Sequence, residues 1–205
     1  MVDDLTRTRE SLHAVAELVL AGPQYRGSGT IRLRIVPGGF ATVAEPALAV
    51  DGEHLVTPAG RIAIDGNTYA ALAEAAGVEP GAPEGLYHDG TGASPDDTAS
   101  VDPAVARHLT ECFAIGDAAM RRFAPEATPV LWPEHFDLGI TIDEVNYGVS
   151  LGDAAIPEPY AYVGPHQART GEFWNALFGA ARPMRELPDP ESVAGFFAAG
   201  RAAAG

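Results

Sequence analysis

The spacing of the apolar residues changes from the period of a helix to that of a strand and back, twice along the chain. Leu5, Leu12 and Val19 recur at helical spacing within residues 4–21, and Thr30–Val36 then alternates strictly between apolar and polar residues. Helical spacing is typical of an amphipathic helix, and strict alternation is typical of a strand with one buried face. The order predicts an α+β fold in which antiparallel strands are packed by three or four helices.

The other predicted elements repeat this order. Predicted strands cover 40–50, 54–57, 61–64, 130–132, 136–142, 145–150 and 160–163, and predicted helices cover 68–76, 103–124 and 190–203. Gly22-Pro23 ends the first helix, whereas Asp102-Pro103 and Asp189-Pro190 begin the last two, because Asp caps a helix and Pro suits its first turn. Each half reads helix, strands, helix, which is compatible with a duplicated unit, although sequence identity between the halves is negligible.

Residues 78–101 carry several Gly, Pro and Asp residues and have no periodicity, so we expect a long loop. A chain of 205 residues fits a single α+β domain, and this loop offers a subdivision into 1–77 and 102–205. Loops of this length usually have a function or are mobile. Within it, His88-Asp89-Gly90 and Asp96-Asp97 are interpreted as solvated turn residues.

The charge and the basic residues exclude several functions. The formal net charge is −15, and both halves are acidic, so nucleic acid and anionic membrane are poor partners. All 13 basic residues are arginine. Without lysine there is no anchor for pyridoxal phosphate and no Walker-A lysine for a nucleotide.

Features of cellular location point to the cytoplasm. The N-terminal residues lack the basic start and apolar stretch of a signal peptide, and no apolar run reaches the length of a membrane span. The single cysteine, Cys112, excludes an internal disulfide and any site with several cysteine ligands. Because it lies in a predicted helix, we expect a buried, unreactive thiol.

The densest group of polar residues lies in residues 131–166. In the predicted strand 136–142, alternation places His135 and Asp137 on the face opposite Leu138 and Ile140. If the apolar face is core, the other face is solvent or the wall of a cleft. Gly139 and Gly148 lack side chains and would leave room there for a ligand.

Three kinds of chemistry fit this segment. His135 and Asp137, with Glu144 or His166, have the residue types of a two-histidine, one-carboxylate metal site. Gly148-Val-Ser150-Leu-Gly152 matches the G-x-S-x-G pattern of a nucleophile elbow, but the following residues cannot form the required helix. General acid–base catalysis by His135, Asp137 or Glu144 is the third. In this third interpretation the hydroxyls of Tyr147, Tyr160 and Tyr162 assist the reaction. The pocket is walled by the rings of Trp132, Tyr160 and Trp174.

The motifs Trp132-Pro-Glu-His-Phe-Asp137 and Asn146-Tyr-Gly-Val-Ser-Leu-Gly-Asp153, with Pro159-Tyr-Ala-Tyr-Val163 and Phe173-Trp174, support a resemblance. This part of the chain, roughly residues 130–180, resembles a family of uncharacterised, mainly actinobacterial proteins of unknown function. Those proteins carry W-P-x-H-F-D and N-x-G-x-S-P-G-D motifs. Leu151 stands where they usually carry Pro, which favours a loop there. The resemblance implies a location for a site but no reaction.

The residues therefore predict a cleft within residues 132–166 that binds a small polar molecule, with catalysis left open. His135, Asp137 and Glu144 are the candidate catalytic residues, and a bound metal would use His135, Asp137 and His166. The candidate ligand-binding residues are Trp132, Asn146, Tyr147, Asp153, Tyr160 and Tyr162. The alternative is a non-catalytic interaction module that associates with a partner or with itself through the aromatic segment 172–178.

Overall fold

The computed structural model describes residues 3–87 and 90–205. The sequence-based interpretation of His88 and Asp89 therefore lies outside the described residues. The helices are α1 (Asp4–Ala14), a π-helical segment (Val15–Ala21), α2 (Gly22–Ser28), α3 (Tyr69–Ala76), α4 (Pro103–Phe123) and α5 (Pro190–Ala204). The strands are β1 (Leu33–Val36), β2 (Gly39–Thr42), β3 (Ala49–Asp51), β4 (His54–Thr57), β5 (Gly60–Ala63), β6 (Val130–Trp132), β7 (Asp137–Ile142), β8 (Val145–Ser150), β9 (Tyr160–Pro165) and β10 (Ala180–Pro183).

The chain forms two compact units that share α4. The first unit comprises Met1–Glu111 and Leu131–Phe136, and the second comprises Cys112–Val130 and Asp137–Gly205. The division thus falls inside a helix. Each unit combines helices with antiparallel strands, so the predicted α+β class is confirmed.

One continuous helical rod forms the centre of the first unit. It runs from α1 through the π-helical segment into α2, and all seven residues of the π-helical segment are buried. The sequence predicted that this helix would cover residues 4–21 and be ended by Gly22-Pro23. It continues because the N–H of Gly22 bonds five residues back, to Glu17, so Pro23 stands at the start of a new α-helical turn, where its missing N–H costs little.

The strands of the first unit form consecutive antiparallel pairs. β1 pairs with β2, β2 with β3, β3 with β4 and β4 with β5. The predicted strand 40–50 is two strands, since the backbone leaves the sheet between Thr42 and Ala49, around Pro46. Buried Gln24 holds this excursion: its side-chain oxygen accepts hydrogen bonds from the N–H groups of Val43 and Ala44.

The second unit is a four-stranded sheet with helix on one face. Its strand order is β10-β9-β8-β7, all antiparallel. The apolar face carries Leu138, Val149 and Val163, all fully buried. A Cβ added at Gly116 of α4 would lie 2.7 Å from Val149, and one at Gly200 of α5 would lie 2.7 Å from Val163. Both helices therefore approach the sheet at glycines.

In the described part of the chain, no helix is both long enough and apolar enough to cross a membrane.

Candidate functional site

The register of β7, β8 and β9 decides which polar residues share a face. Asp143 and Glu144 form the two-residue turn between β7 and β8, and both have positive φ (50° and 61°), as a type I′ hairpin requires. This turn places Asp137 directly across from Ser150, and Ser150 lies across from Tyr160 on the next strand. Asp137, Ser150, Tyr160 and Tyr162 therefore lie on the face of the sheet opposite the core.

Tyr162 lies over the glycines of this face and donates a hydrogen bond to Asp137. Its hydroxyl bonds Oδ2 of Asp137. A Cβ at Gly148 would stand 2.2 Å from Cζ of Tyr162, and one at Gly139 would stand 3.2 Å from its hydroxyl oxygen. The space that the sequence assigned to a ligand above these two glycines is thus occupied by the Tyr162 ring.

A second tyrosine–carboxylate pair lies next to the first. The Tyr160 hydroxyl donates to Oδ2 of Asp153 at 2.5 Å. The other carboxylate oxygen of Asp153 accepts the backbone N–H groups of Ala155 (2.7 Å) and Ile156 (2.8 Å). Asp153 therefore orders the loop after β8 while it fixes the direction of the Tyr160 hydroxyl. We call Asp137, Asp153, Tyr160 and Tyr162 the carboxylate–tyrosine cluster.

Both phenols of the cluster stay protonated. Burial, followed by the negative charge of Asp137, raises the pKa of Tyr162 well above its usual value. Burial, followed by the hydrogen bond to Asp153, raises the pKa of Tyr160. Each hydroxyl therefore remains a donor across the physiological pH range, and each carboxylate is held in one orientation.

A third aromatic ring completes the surroundings of the cluster. Phe178 lies 6.1 Å from Tyr160 at an interplanar angle of 27°, and 6.3 Å from Tyr162 at 85°, measured between ring centroids. The two tyrosine rings are 6.3 Å apart. Phe178 is 42% exposed, whereas Tyr160 is buried. These three residues, the aromatic trio, are therefore open to solvent on the Phe178 side.

Three predicted residues of the second unit lie outside the cluster. Tyr147 is 1% exposed and points into the core, where its ring contacts Phe123 at 4.8 Å. Glu144 is exposed in the hairpin turn. Asn146 shares the polar face, but its side-chain oxygen accepts the Thr141 hydroxyl at 2.7 Å, away from Asp137.

His135 precedes β7, which begins one residue after the predicted strand start at Phe136. β7 begins at Asp137, and residues 133–136 form a turn in which Phe136 has a φ of 49°. A positive φ at a bulky residue ends the alternation on which the shared face of His135 and Asp137 depended. His135 is exposed in this turn, which belongs to the first unit, whereas Asp137 belongs to the second.

The metal-site and nucleophile-elbow interpretations of the segment can also be compared with the structure. Residues 3–87 and 90–205 contain no group of three or more His, Cys, Asp or Glu side chains that could hold a metal ion, so His135, Asp137 and His166 are not arranged as ligands. Ser150 ends β8 and is followed by an irregular loop, as expected, and not by the helix of a nucleophile elbow.

The two tryptophans that were expected to wall a pocket with Tyr160 have other neighbours. Trp132, in β6 of the first unit, lies under the Arg32 guanidinium at 5.7 Å. Trp174 packs edge-on against Phe173 at 5.0 Å. Neither ring is part of the aromatic trio, for which Phe178 supplies the third side.

The first unit contains a buried carboxylate that the sequence analysis did not identify. Glu17, in the π-helical segment, is 2% exposed, and its Oε2 accepts both the N–H (2.9 Å) and the hydroxyl (2.6 Å) of Thr91. Burial, followed by the charge of the nearby Glu17, raises the pKa of the Tyr87 hydroxyl. The sequence signal for this buried carboxylate was a single acidic residue within the apolar run Val15–Ala21.

Glu17 connects the long loop to the central helix. A Cβ at Gly90 would lie 1.9 Å from Oε1 of Glu17, so the loop backbone rests directly on this carboxylate. The carboxylate is thus covered by the chain, whereas Asp137 is half-buried and Asp153 is exposed. Of the two polar clusters, the carboxylate–tyrosine cluster is the one that a dissolved molecule can approach.

Comparison with protein-family models, curated protein sequences and solved structures gives no match for this chain.

Proposed function

We propose that the chain binds a small polar molecule at the carboxylate–tyrosine cluster. The observation that carries this proposal is the pairing of one buried and one half-buried phenol, Tyr160 and Tyr162, with two solvent-reaching carboxylates on one face of the sheet. Ligand sites commonly combine aromatic walls with a few polar groups in fixed orientation. The proposal concerns binding, since neither His135 nor Glu144 joins the cluster as a proton acceptor.

The cluster is ordered before any ligand arrives, which favours binding. Asp153 is fixed by two backbone N–H groups, and Asp137 by the Tyr162 hydroxyl. Groups that are already oriented lose little conformational entropy on association, so more of the interaction energy contributes to affinity. The Phe178 ring lies beside the tyrosines of the cluster and offers an apolar surface to a ligand.

Ligand-observed NMR with mixtures of small cationic, neutral and anionic polar molecules tests this proposal. We expect saturation transfer to at least one class with the wild type, and loss of that signal with Phe178→Ala. Leu177→Ala is the matched control, because Leu177 is the fully exposed neighbour outside the aromatic trio. If no molecule binds, or if both variants behave alike, the cluster is only a structural network.

The exposed end of segment 172–178 favours a second candidate function, self-association. Leu177 is fully exposed and Phe178 is partly exposed, at the turn leading into the outer strand β10 of the second unit. Light scattering after size exclusion would show a dimer that Leu177→Asp converts to monomer. A monomer at all concentrations rules this function out and leaves ligand binding untouched.

A further inference from the structure

We propose that the ligand of this site carries a quaternary ammonium group, which binds against the aromatic trio. This inference rests on the proposed function and specifies its ligand. It combines three observations: the angle between the rings of the trio, the hydrogen bonds that Asp153 already accepts, and the negative charge around the rings.

The rings of Tyr162 and Phe178 form a corner of which Phe178 is the exposed side. The planes of Tyr162 and Phe178 meet at 85°, with centroids 6.3 Å apart. A cation is attracted to the face of an aromatic ring when it lies within about 6 Å of the centroid. One positive group near this corner can be within that distance of both rings, and it would approach from the side of Phe178, which is 42% exposed.

The hydrogen bonds of the tyrosines strengthen this attraction. Each phenol donates to an anionic carboxylate, which pushes electron density into the ring and makes its face more negative. The two carboxylates also place negative charge directly at the trio. The net charge of −15 acts in the same direction over longer distances, since it attracts cations and repels anions.

The occupied state of Asp153 decides between kinds of cation. One of its oxygens accepts two backbone N–H groups and the other accepts the Tyr160 hydroxyl. It can therefore supply charge but is poorly placed to accept further hydrogen bonds. A primary ammonium or guanidinium group would therefore gain little direct hydrogen bonding from Asp153 in return for the water that it gives up. A quaternary ammonium group has no such donors.

The position of Phe178 is fixed by the chain that follows it. Gly179 has a φ of 139°, and a Cβ there would lie 2.2 Å from the carbonyl oxygen of Val163 in β9. Ala176 and Gly179 also exchange two backbone hydrogen bonds of 3.0 Å. The backbone thus holds the Phe178 ring against the tyrosines, and the corner exists before a ligand binds.

Isothermal titration calorimetry with choline and its uncharged isostere 3,3-dimethylbutan-1-ol tests the inference. We expect choline to bind the wild type at least about tenfold more tightly than the isostere. Phe178→Leu, which keeps an apolar side chain without a π-face, should lose most of this preference, and Phe178→Trp should keep it. Leu177→Ala should leave both affinities unchanged.

The outcomes separate this inference from the proposed function. Equal affinity for choline and its isostere, or choline binding that is insensitive to Phe178→Leu, overturns the quaternary ammonium assignment. Phe178-dependent binding of a sugar or a carboxylic acid, without choline binding, does so too but leaves the proposed function standing. If neither these molecules nor any member of the NMR mixtures binds, the quaternary ammonium assignment and the proposed function are both contradicted.

Discussion

The space for the Tyr162 ring exists because residue 148 has no side chain. In Gly148→Ala the new Cβ would stand 2.2 Å from Cζ of the ring, so Tyr162 or the strand must shift. We expect the free energy of unfolding to fall by about 1–3 kcal/mol, as in other overpacked sites, and the hydrogen bond to Asp137 to weaken. Urea denaturation followed by circular dichroism measures this loss.

Gly195→Ala is the control for this substitution. Gly195 lies in α5, and a Cβ there would meet nothing within 4 Å. Because alanine is the better helix former, this variant should be up to about 1 kcal/mol more stable than the wild type. A Gly148→Ala protein as stable as the wild type would contradict the close approach of Tyr162 to the sheet.

His13 makes stability depend on pH in a defined direction. Burial lowers its pKa below the usual 6.5, although the carbonyl of Pro133 and the charge of Glu17 oppose this. Its Nε2 lies 2.6 Å from that carbonyl oxygen, which can only accept, so Nε2 carries the proton of the neutral ring. The unfolded chain therefore binds a proton near pH 6.5 that the folded chain does not.

From this sign, His13 stabilises the fold above pH 6.5, and that contribution is lost as the pH falls below 6.5 toward the lowered folded-state pKa. We expect the free energy of unfolding of the wild type to decrease more steeply between pH 7 and pH 5 than that of His13→Gln. Urea titrations at several pH values compare the two slopes. Parallel slopes would mean that His13 has the same pKa in the folded and unfolded chains.

At the scale of elements, Thr91 attaches the loop after α3 to the central helix. Thr91→Val removes the hydroxyl that donates to Glu17 but keeps the backbone N–H, so a buried carboxylate loses one of its two hydrogen bonds from this residue. We expect a loss of about 1.5–3 kcal/mol, the range for bonds to charged groups. Hydrogen exchange in residues 90–101 should also accelerate.

Thr170→Val, at an exposed position, should change neither stability nor exchange in those residues. If Thr91→Val likewise leaves exchange in residues 90–101 unchanged, the loop is held by other contacts and Glu17 is not its anchor.

The sequence was sufficient for elements whose residues carry their own signals. β4 at His54–Thr57 and β8 at Val145–Ser150 lie where alternation predicted them. The start of α5 also agrees, because Asp189 accepts the N–H of Ser192 as a capping residue should. These signals are local, and the physical cause of each lies within a few residues of it.

Sequence-based prediction of elements failed where a contact with a distant part of the chain overrides the local signal. No sequence pattern marks the left-handed φ of Phe136. Its ring stacks on His13 at 5.1 Å and contacts Phe40 at 5.4 Å, and both residues are distant in the sequence. β10 was missed because its four residues, Ala180–Pro183, contain no alternation and depend on pairing with β9.

The candidate site was predicted in part for the same reason. The register of β7, β8 and β9 brings Asp137, Tyr160 and Tyr162 to one face of the sheet, and Asp153 follows β8 directly. Alternation and the two-residue turn are the sequence signals for that register. Which of Asn146 and Tyr147 joins the polar face depended on a register that alternation alone left open, and the pairing of Gly148 with Tyr162 resolves it. Phe178 lay outside any predicted element.

At the scale of the whole molecule, the excess of acids over bases lowers stability through repulsion. With 28 acidic and 13 basic residues, salt should screen more repulsion than attraction. We expect the melting temperature to rise between 10 and about 200 mM NaCl at pH 7, where the Debye length falls below about 10 Å. Differential scanning calorimetry measures this change, and KCl at equal ionic strength controls for ion identity.

A melting temperature that falls with added salt would show that surface ion pairs, such as Arg61 with Asp51 and Arg121 with Asp117, outweigh the repulsion. Exposed pairs of this kind usually contribute less than about 1 kcal/mol each.

The pairing of β1 with β6 through Leu33 and Leu131 has a consequence for how the chain is made. A ribosome releases residues in order, so β1 emerges early and waits for its neighbour until Leu131 has left the exit tunnel. An unpaired strand edge is a template for other strands. Nascent chains that stall before Leu131 should therefore be the species that aggregates, and codon changes that slow translation between the two strands should lower the soluble yield.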